Sequence, residues 1–249
     1  MTESREYPVL NDPHYRASKY PYHLPERSFV MEKGNRTVVD HDEMLENLEG
    51  RVPVLAVGSN MSPQQLARKF PGPEDNIIPV TKINLRHFDS VYSSHFSGYG
   101  SIPATLFPSP DTEVSLFITW LDSRQEEYMH ETEVLGDHYH FCRINKIEAK
   151  LDNGPELDHM YAYLSCKGAM SIKEEPVALS AVSAQNRRWK ALHQHEIQDH
   201  ARINMAPDLS LAGFMDANIY NSDQRNKHTN ILRDTVIPFS HDDIDIITT

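Results

Sequence analysis

Residues 52 to 65 constrain this chain most. Val52-Pro53-Val54-Leu55-Ala56-Val57 carries no charge and reads as a buried strand. It runs directly into Gly58-Ser59-Asn60. Ser62-Pro63-Gln64-Gln65 then looks like a helix start: Ser62 can cap, Pro63 suits the first helical position, and Gln65 completes a capping box. Strand, tight polar turn and helix therefore follow one another with no slack. Such a turn has a chemical use. Glycine tolerates close approach of other groups, N–H groups at a helix start attract a carboxylate or another anion, and Ser59 and Asn60 add side-chain hydrogen bonds.

Around this unit the chain reads as mixed α and β. Residues 1 to about 36 are rich in Tyr, Pro, His and Arg without a period. Their prolines argue against regular structure and their aromatics against pure disorder. The expectation is an arm wrapped on its own body or on a second copy in a homodimer. A short helix follows, capped by Asp40, with Met44, Leu45 and Leu48 on one face and Gly50 at its end. Ile77 to Val91, Ile102 to Leu106 and Val114 to Trp120 read as extended segments. A helix begins at Ser123, with Ser123 and Glu126 spaced as a capping box, and runs to about Val134. Tyr139 to Lys150 and His159 to Leu164 read as strands, with a hairpin signal at Asn153-Gly154 between them. Leu179, Val182, Trp189, Leu192 and Ile197 suggest a long helix from about Val177 to Ile203. The polar residues after it read as an extension. The expected organisation is an arm and short helix over 1–50, one domain over 51–205, and a C-terminal extension over 206–249.

Composition removes several classes of function. A formal net charge of −12 repels phosphate backbones, so nucleic acid is not an expected partner. Cys142 and Cys166 are the only cysteines, too few for a disulfide framework and suited to a reducing compartment. The first residues have no apolar signal-peptide core, and no stretch approaches the ~18 apolar residues of a membrane span. The expectation is a cytoplasmic protein that does not engage a membrane. His193 to His200 invites a metal reading, but His195 and His200 stand five apart, which turns them to different sides of a helix. No metal is expected. Ser101, Ser180 and Ser183 lack a nucleophile-elbow context, neither cysteine lies in a catalytic motif, and no glycine-rich phosphate loop is present.

The acidic helix adds a candidate. Glu126, Glu127, His130 and Glu131 share one face, which reads as solvated. Glu133 lies four residues from Met129, on the apolar side. It is either exposed by fraying of the helix end or a partly buried acid, and a buried acid suits proton transfer near neutral pH.

Leu55-Ala56-Val57-Gly58-Ser59-Asn60-Met61 resembles the strand-end signature of the gamma-glutamylcyclotransferase-like family, usually Tyr-Gly-Ser-Asn followed by Leu or Met. Ile102-Pro103-Ala104-Thr105-Leu106-Phe107-Pro108 is similar to that family's extended segment before its central strand. Val114 to Trp120 followed by Met129-His130-Glu131-Thr132-Glu133 resembles its strand-then-helix unit. The chain departs from the pattern at Val57, His130 and Val134. The resemblance, over about residues 52 to 165, implies an α+β fold: a small, mixed, mainly antiparallel β-barrel with flanking helices. It implies a cofactor-free enzyme that converts a γ-glutamyl amide or γ-glutamyl amino acid to 5-oxoproline and a free amine. Glu133 would be the catalytic acid/base. Val57, Gly58, Ser59, Asn60 and Tyr139 would bind the small-molecule substrate. The alternative is a non-catalytic relative that keeps the fold to bind a ligand or protein.

Overall fold

Two long antiparallel strands organise the molecule. The computed structural model describes residues 10–32, 35–37, 44, 46, 48–72, 77–133, 135–146, 148–152 and 155–248. In chain order the described strands are β1 (Phe29–Glu32), β2 (Asn35–Thr37), β3 (Val52–Ala56), β4 (Ile77–Tyr92), β5 (Ala104–Leu121), β6 (Tyr139–Asn145), β7 (Ala149–Leu151), β8 (His159–Ser165), β9 (Ala169–Ile172), β10 (Glu175–Pro176), β11 (Ala178–Leu179), β12 (Ala184–Gln185), β13 (Ala191–Leu192), β14 (Val236–Ile237) and β15 (Ile244–Thr248). The helices are α1 (Pro13–Ser18), α2 (Pro63–Lys69), α3 (Ser123–Glu133), α4 (Gln194–Met205), α5 (Leu211–Tyr220) and α6 (Ser222–Leu232).

Ile102 to Leu106 and Val114 to Trp120 are not separate strands. From Ala104 onward both belong to β5, which continues through Pro108 and Pro110, while Ile102 and Pro103 precede it. Prolines are tolerated where a ladder is irregular. The β4–β5 register shifts between Arg86 and Phe88, and Phe88 then faces Pro108. His87 and Asp111 both adopt positive φ at this kink.

The main sheet has 12 strands. Its path runs β13-β11-β4-β5-β3-β8-β6-β15, with β1, β7 and β12 attached and β2 beyond β1. It is mainly antiparallel, with β3 beside β8 and β11 beside β13 as parallel pairs. The expected barrel is corrected: among the described residues the path does not return from β15 to β13, so the sheet is open. A second sheet contains β10, β9 and β14. Alternating strand faces supply the core, with Val80, Ile83, Leu116, Ile118 and Met160 fully buried.

The expected helix from Val177 to Ile203 exists only as α4. Before it, Val177 accepts a hydrogen bond from the Tyr92 N–H (2.9 Å), and Ala178 pairs with Val91. Arg187 clamps the fully buried Asp89 through two bonds of 2.8 and 3.0 Å. Leu179, Val182 and Leu192 are buried as an apolar stripe requires, but against a sheet edge. Tertiary pairing here overrides the local period. His193 becomes the N-cap of α4 and its N–H donates to Glu196 (2.7 Å), so these two residues form a helix cap.

Other boundaries move for local reasons. The segment 139–150 breaks after Asn145, where Lys146 takes a positive φ. In α3 the capping box is Asp122 with Gln125: the Gln125 N–H donates to Asp122 (2.9 Å) and the Asp122 N–H to Gln125 (3.1 Å). Ser62 does precede α2, but its side chain makes no capping bond, and Gln65 accepts from Arg68 instead. The arm contains α1, β1 and β2, and β1 pairs with β4. The tail contributes α5 and α6, and its β15 pairs with β6 in the main sheet. Met44 is buried. Asp40, Leu45, Val134, Asn153 and Gly154 lie outside the described residues. No helix among the described residues is long and apolar enough to cross a membrane.

Candidate active site

A cavity of about 240 Å³ opens where β3 ends. That is slightly below the roughly 300–1,000 Å³ of drug-sized ligand sites, which suits a small metabolite. Val57, Gly58, Ser59, Asn60, Glu133 and Tyr139 all line it. The turn arrives from β3, Glu133 from the last turn of α3, and Tyr139 from the start of β6. Sheet order explains the meeting: β3 lies against β8, and β8 against β6.

Glu133 is the buried acid, not a frayed end, with its side chain only 13% exposed. Met129, one turn earlier, is fully buried and fixes that face inward. Oε1 of Glu133 accepts from Asn60 Nδ2 (2.9 Å) and from the ammonium of Lys69. Oε2 makes no hydrogen bond among the described residues. Lys69 is 4% exposed, and its Nζ also lies 3.2 Å from the Met129 sulfur. Oδ1 of Asn60 is buried without a partner among the described residues. The turn's asparagine and the helix's acid are thus one hydrogen-bonded unit.

The supposed solvated face of α3 divides. Glu127 and Glu131 are exposed, but Glu126 and His130 are half-buried. His130 Nδ1 lies 2.7 Å from the Tyr163 hydroxyl, and its ring meets Phe141 edge-on. This shelf supports Tyr163, another cavity residue. Burial raises the Tyr163 hydroxyl above the ordinary tyrosine range.

The turn is held from behind. Met61 N–H donates to the Gly58 carbonyl (3.1 Å), and Ser90 Oγ donates to the Val57 carbonyl (2.7 Å). Gly58 has an ordinary negative φ. It is required because a Cβ there would sit 2.0 Å from the Tyr20 hydroxyl and 3.0 Å from the Ala104 Cβ. Tyr20 comes from the N-terminal arm, so the arm supplies part of this wall.

The segment from Ser93 to Ser101 forms the opposite wall through His95, Ser97, Gly98 and Tyr99. His95 is 1% exposed and its imidazole is pushed down to about 3, first by burial and then by His138, Lys167 and Arg233. Its Nδ1 lies 2.8 Å from Ser93 Oγ, which is 2.6 Å from Ser165 Oγ. His138 packs on it at 4.9 Å and is also shifted down, chiefly by burial. Two neutral imidazoles therefore line this side. Burial holds the Tyr139 hydroxyl well above its usual range, so it too is a neutral donor.

Sequence reasoning missed Lys69, Tyr20, His95 and His138. Lys69 had a signal: it falls three residues after Leu66, on the apolar face of α2, where a lysine needs a partner. The other three had none, because nothing local brings residues 20, 95 and 138 together.

No protein-family model and no curated protein matches the chain. A solved structure titled "Gamma-glutamyl cyclotransferase" is similar at 14% identity, covering 77% of this chain and 91% of that one, with a TM-score of 0.37.

Proposed function

We propose that this cavity cyclises the glutamyl part of a γ-glutamyl amide to 5-oxoproline and frees an amine. One observation carries the reading: a buried carboxylate, Glu133, is fixed by Asn60 of the Gly58-Ser59-Asn60 turn inside a cavity of metabolite size. The sequence resemblance, which assigned the two halves separately, adds to it.

The substrate supplies its own nucleophile, so the protein has mainly to hold the folded conformer and move protons. A free α-amine titrates at about 8, so near neutrality it is mostly ammonium and inert. Lys69 and Asn60 pin Glu133 through Oε1 and leave Oε2 to receive the ammonium proton. The freed amine attacks the γ-carbonyl carbon, and the carbonyl electron pair moves to oxygen. When that oxyanion collapses, the bond to the leaving nitrogen breaks, and Glu133 returns its proton to that nitrogen. The second proton of the attacking nitrogen passes through the regenerated Glu133 carboxylate to the freed amine, leaving a neutral lactam and an ammonium product. Arg68, exposed at the rim, offers a cation to a carboxylate on the substrate.

The test is release of 5-oxoproline from γ-glutamyl amino acids, γ-glutamyl amines and glutathione, with Glu133→Gln as comparison. The wild-type chain is expected to turn over at least one of them, and Glu133→Gln to fold normally yet lose product formation. Near-normal turnover by the variant removes the acid/base role. No release from any of the compounds, with folding intact, favours the binding module.

A further inference from the structure

Tyr20 lies far from the turn in sequence, yet its hydroxyl is in the cavity wall against that turn. It accepts a hydrogen bond from the Ala104 N–H (2.9 Å) and a longer one from the Ser59 N–H (3.4 Å). A phenol oxygen has two lone pairs and one proton. Both acceptor positions are taken, so the hydroxyl can only donate. Among the described residues it has no acceptor for that proton. The residue is 5% exposed and lines the cavity beside Gly58, Ser59 and Ala104. Val57, at the strand end, offers no hydroxyl of its own.

We propose that Tyr20 is a catalytic residue of the cyclisation: its O–H, oriented by the two backbone N–H groups, donates to the γ-carbonyl oxygen as that oxygen becomes an oxyanion. The proposal rests on the cyclisation reading above. Attack by the α-amine forms the new C–N bond and moves the carbonyl pair onto oxygen. Tyr20 donates a hydrogen bond to that oxygen and keeps its proton. Collapse restores the C=O and expels the amine protonated by Glu133, and the regenerated carboxylate takes the surplus proton from the new ring nitrogen and passes it to the freed amine. Burial raises Tyr20 above the ordinary tyrosine range while both backbone bonds pull it back, so the hydroxyl stays protonated as a donor must. A preorganised donor aimed at that oxygen acts mainly on the transition state. The absence of a Cβ at Gly58 gains a second meaning: it leaves room for this oxygen.

The test is steady-state 5-oxoproline release by wild type, Tyr20→Phe, Gly58→Ala and the double variant, with thermal melts of each. Tyr20→Phe is expected to lower kcat by about 100-fold or more with KM within about threefold, the range seen when one oxyanion donor is removed. Gly58→Ala, which must displace the hydroxyl, is expected to match that loss. In the Tyr20→Phe background it should cost little further, because there is no donor left to displace. A purely structural role would lower the melting temperature and leave kcat near wild type. Should Tyr20→Phe not fold, 3-fluorotyrosine at position 20 keeps both acceptor bonds and makes a stronger donor. A kcat raised above wild type then supports the role, and a kcat unchanged or lowered overturns it. Wild-type turnover with a Tyr20→Phe kcat within threefold of it overturns this proposal alone. No turnover by wild type overturns the cyclisation reading and this proposal together.

Discussion

Replacing Lys69 with Met tests whether the Lys69–Glu133 pair is a structural element of the site. The lysine side chain is 4% exposed and the glutamate 13%, so neither charge is well solvated. Breaking a buried pair by removing one partner typically costs about 3–5 kcal/mol, because a charge is stranded. Here Asn60 still donates to Glu133 at 2.9 Å, and the cavity admits water, so the lower end applies, about 3 kcal/mol. For a chain this long that is a fall in Tm of roughly 6–12 °C. Replacing both partners, as Lys69→Met with Glu133→Gln, strands nothing. The double variant should lose less than the two single losses summed, by about 2 kcal/mol. Urea unfolding of wild type, both single variants and the double variant near pH 7 gives the coupling directly. An exposed pair would give about 0.2–1 kcal/mol. A coupling below about 0.5 kcal/mol would refute the argument that burial makes this pair matter.

The pH dependence follows from His95, held at about 3 against an ordinary histidine value of 6.5. Between those values the unfolded chain takes up a proton that the folded chain refuses, so this contribution is complete above about pH 6.5 and is lost as pH falls toward 3. Urea midpoints between pH 6 and 4 should report about 1.4 kcal/mol lost per pH unit from this residue, and His95→Gln should flatten that slope. Arg187→Met should destabilise by about 3–5 kcal/mol at neutral pH, since Asp89 is fully buried and bound through both carboxylate oxygens. The loss should shrink in acid, because burial raises Asp89 and its protonated form needs no cation; melts at pH 7 and pH 5 separate the two cases.

Some of this was legible in the chain. The uncharged run from Val52 to Val57 read as a buried strand, and it is β3 with its turn, buried from Val54 onward and half-buried at Val52 and Pro53. Glu133 could be placed on Met129's side of α3 from spacing alone, since four residues return a helix to the same face. Spacing could not say whether that face was covered, and Asn60 and Lys69, which pack on Met129 and Glu133, decide it. The apolar stripe after Val177 marked burial correctly but not conformation. Leu179 and Leu192 occupy a sheet edge because β4 offered unpaired backbone there. A barrel could not be read from strands at all, because closure depends on which edges meet.

What the sequence determined by itself was local: a buried strand turning on glycine into a helix, and an acid on an apolar helix face. These follow from the order of polarity along a short stretch. What tertiary structure alone decided was the company these residues keep. Lys69 finds Glu133 across 64 positions, and Tyr20 finds the Ala104 N–H across 84. Such contacts depend on how helices and an arm pack against a sheet, and no local pattern encodes that. The place of glycine at position 58 is the clearest case: the Tyr20 oxygen, brought from the arm behind the turn, leaves no room there for a Cβ.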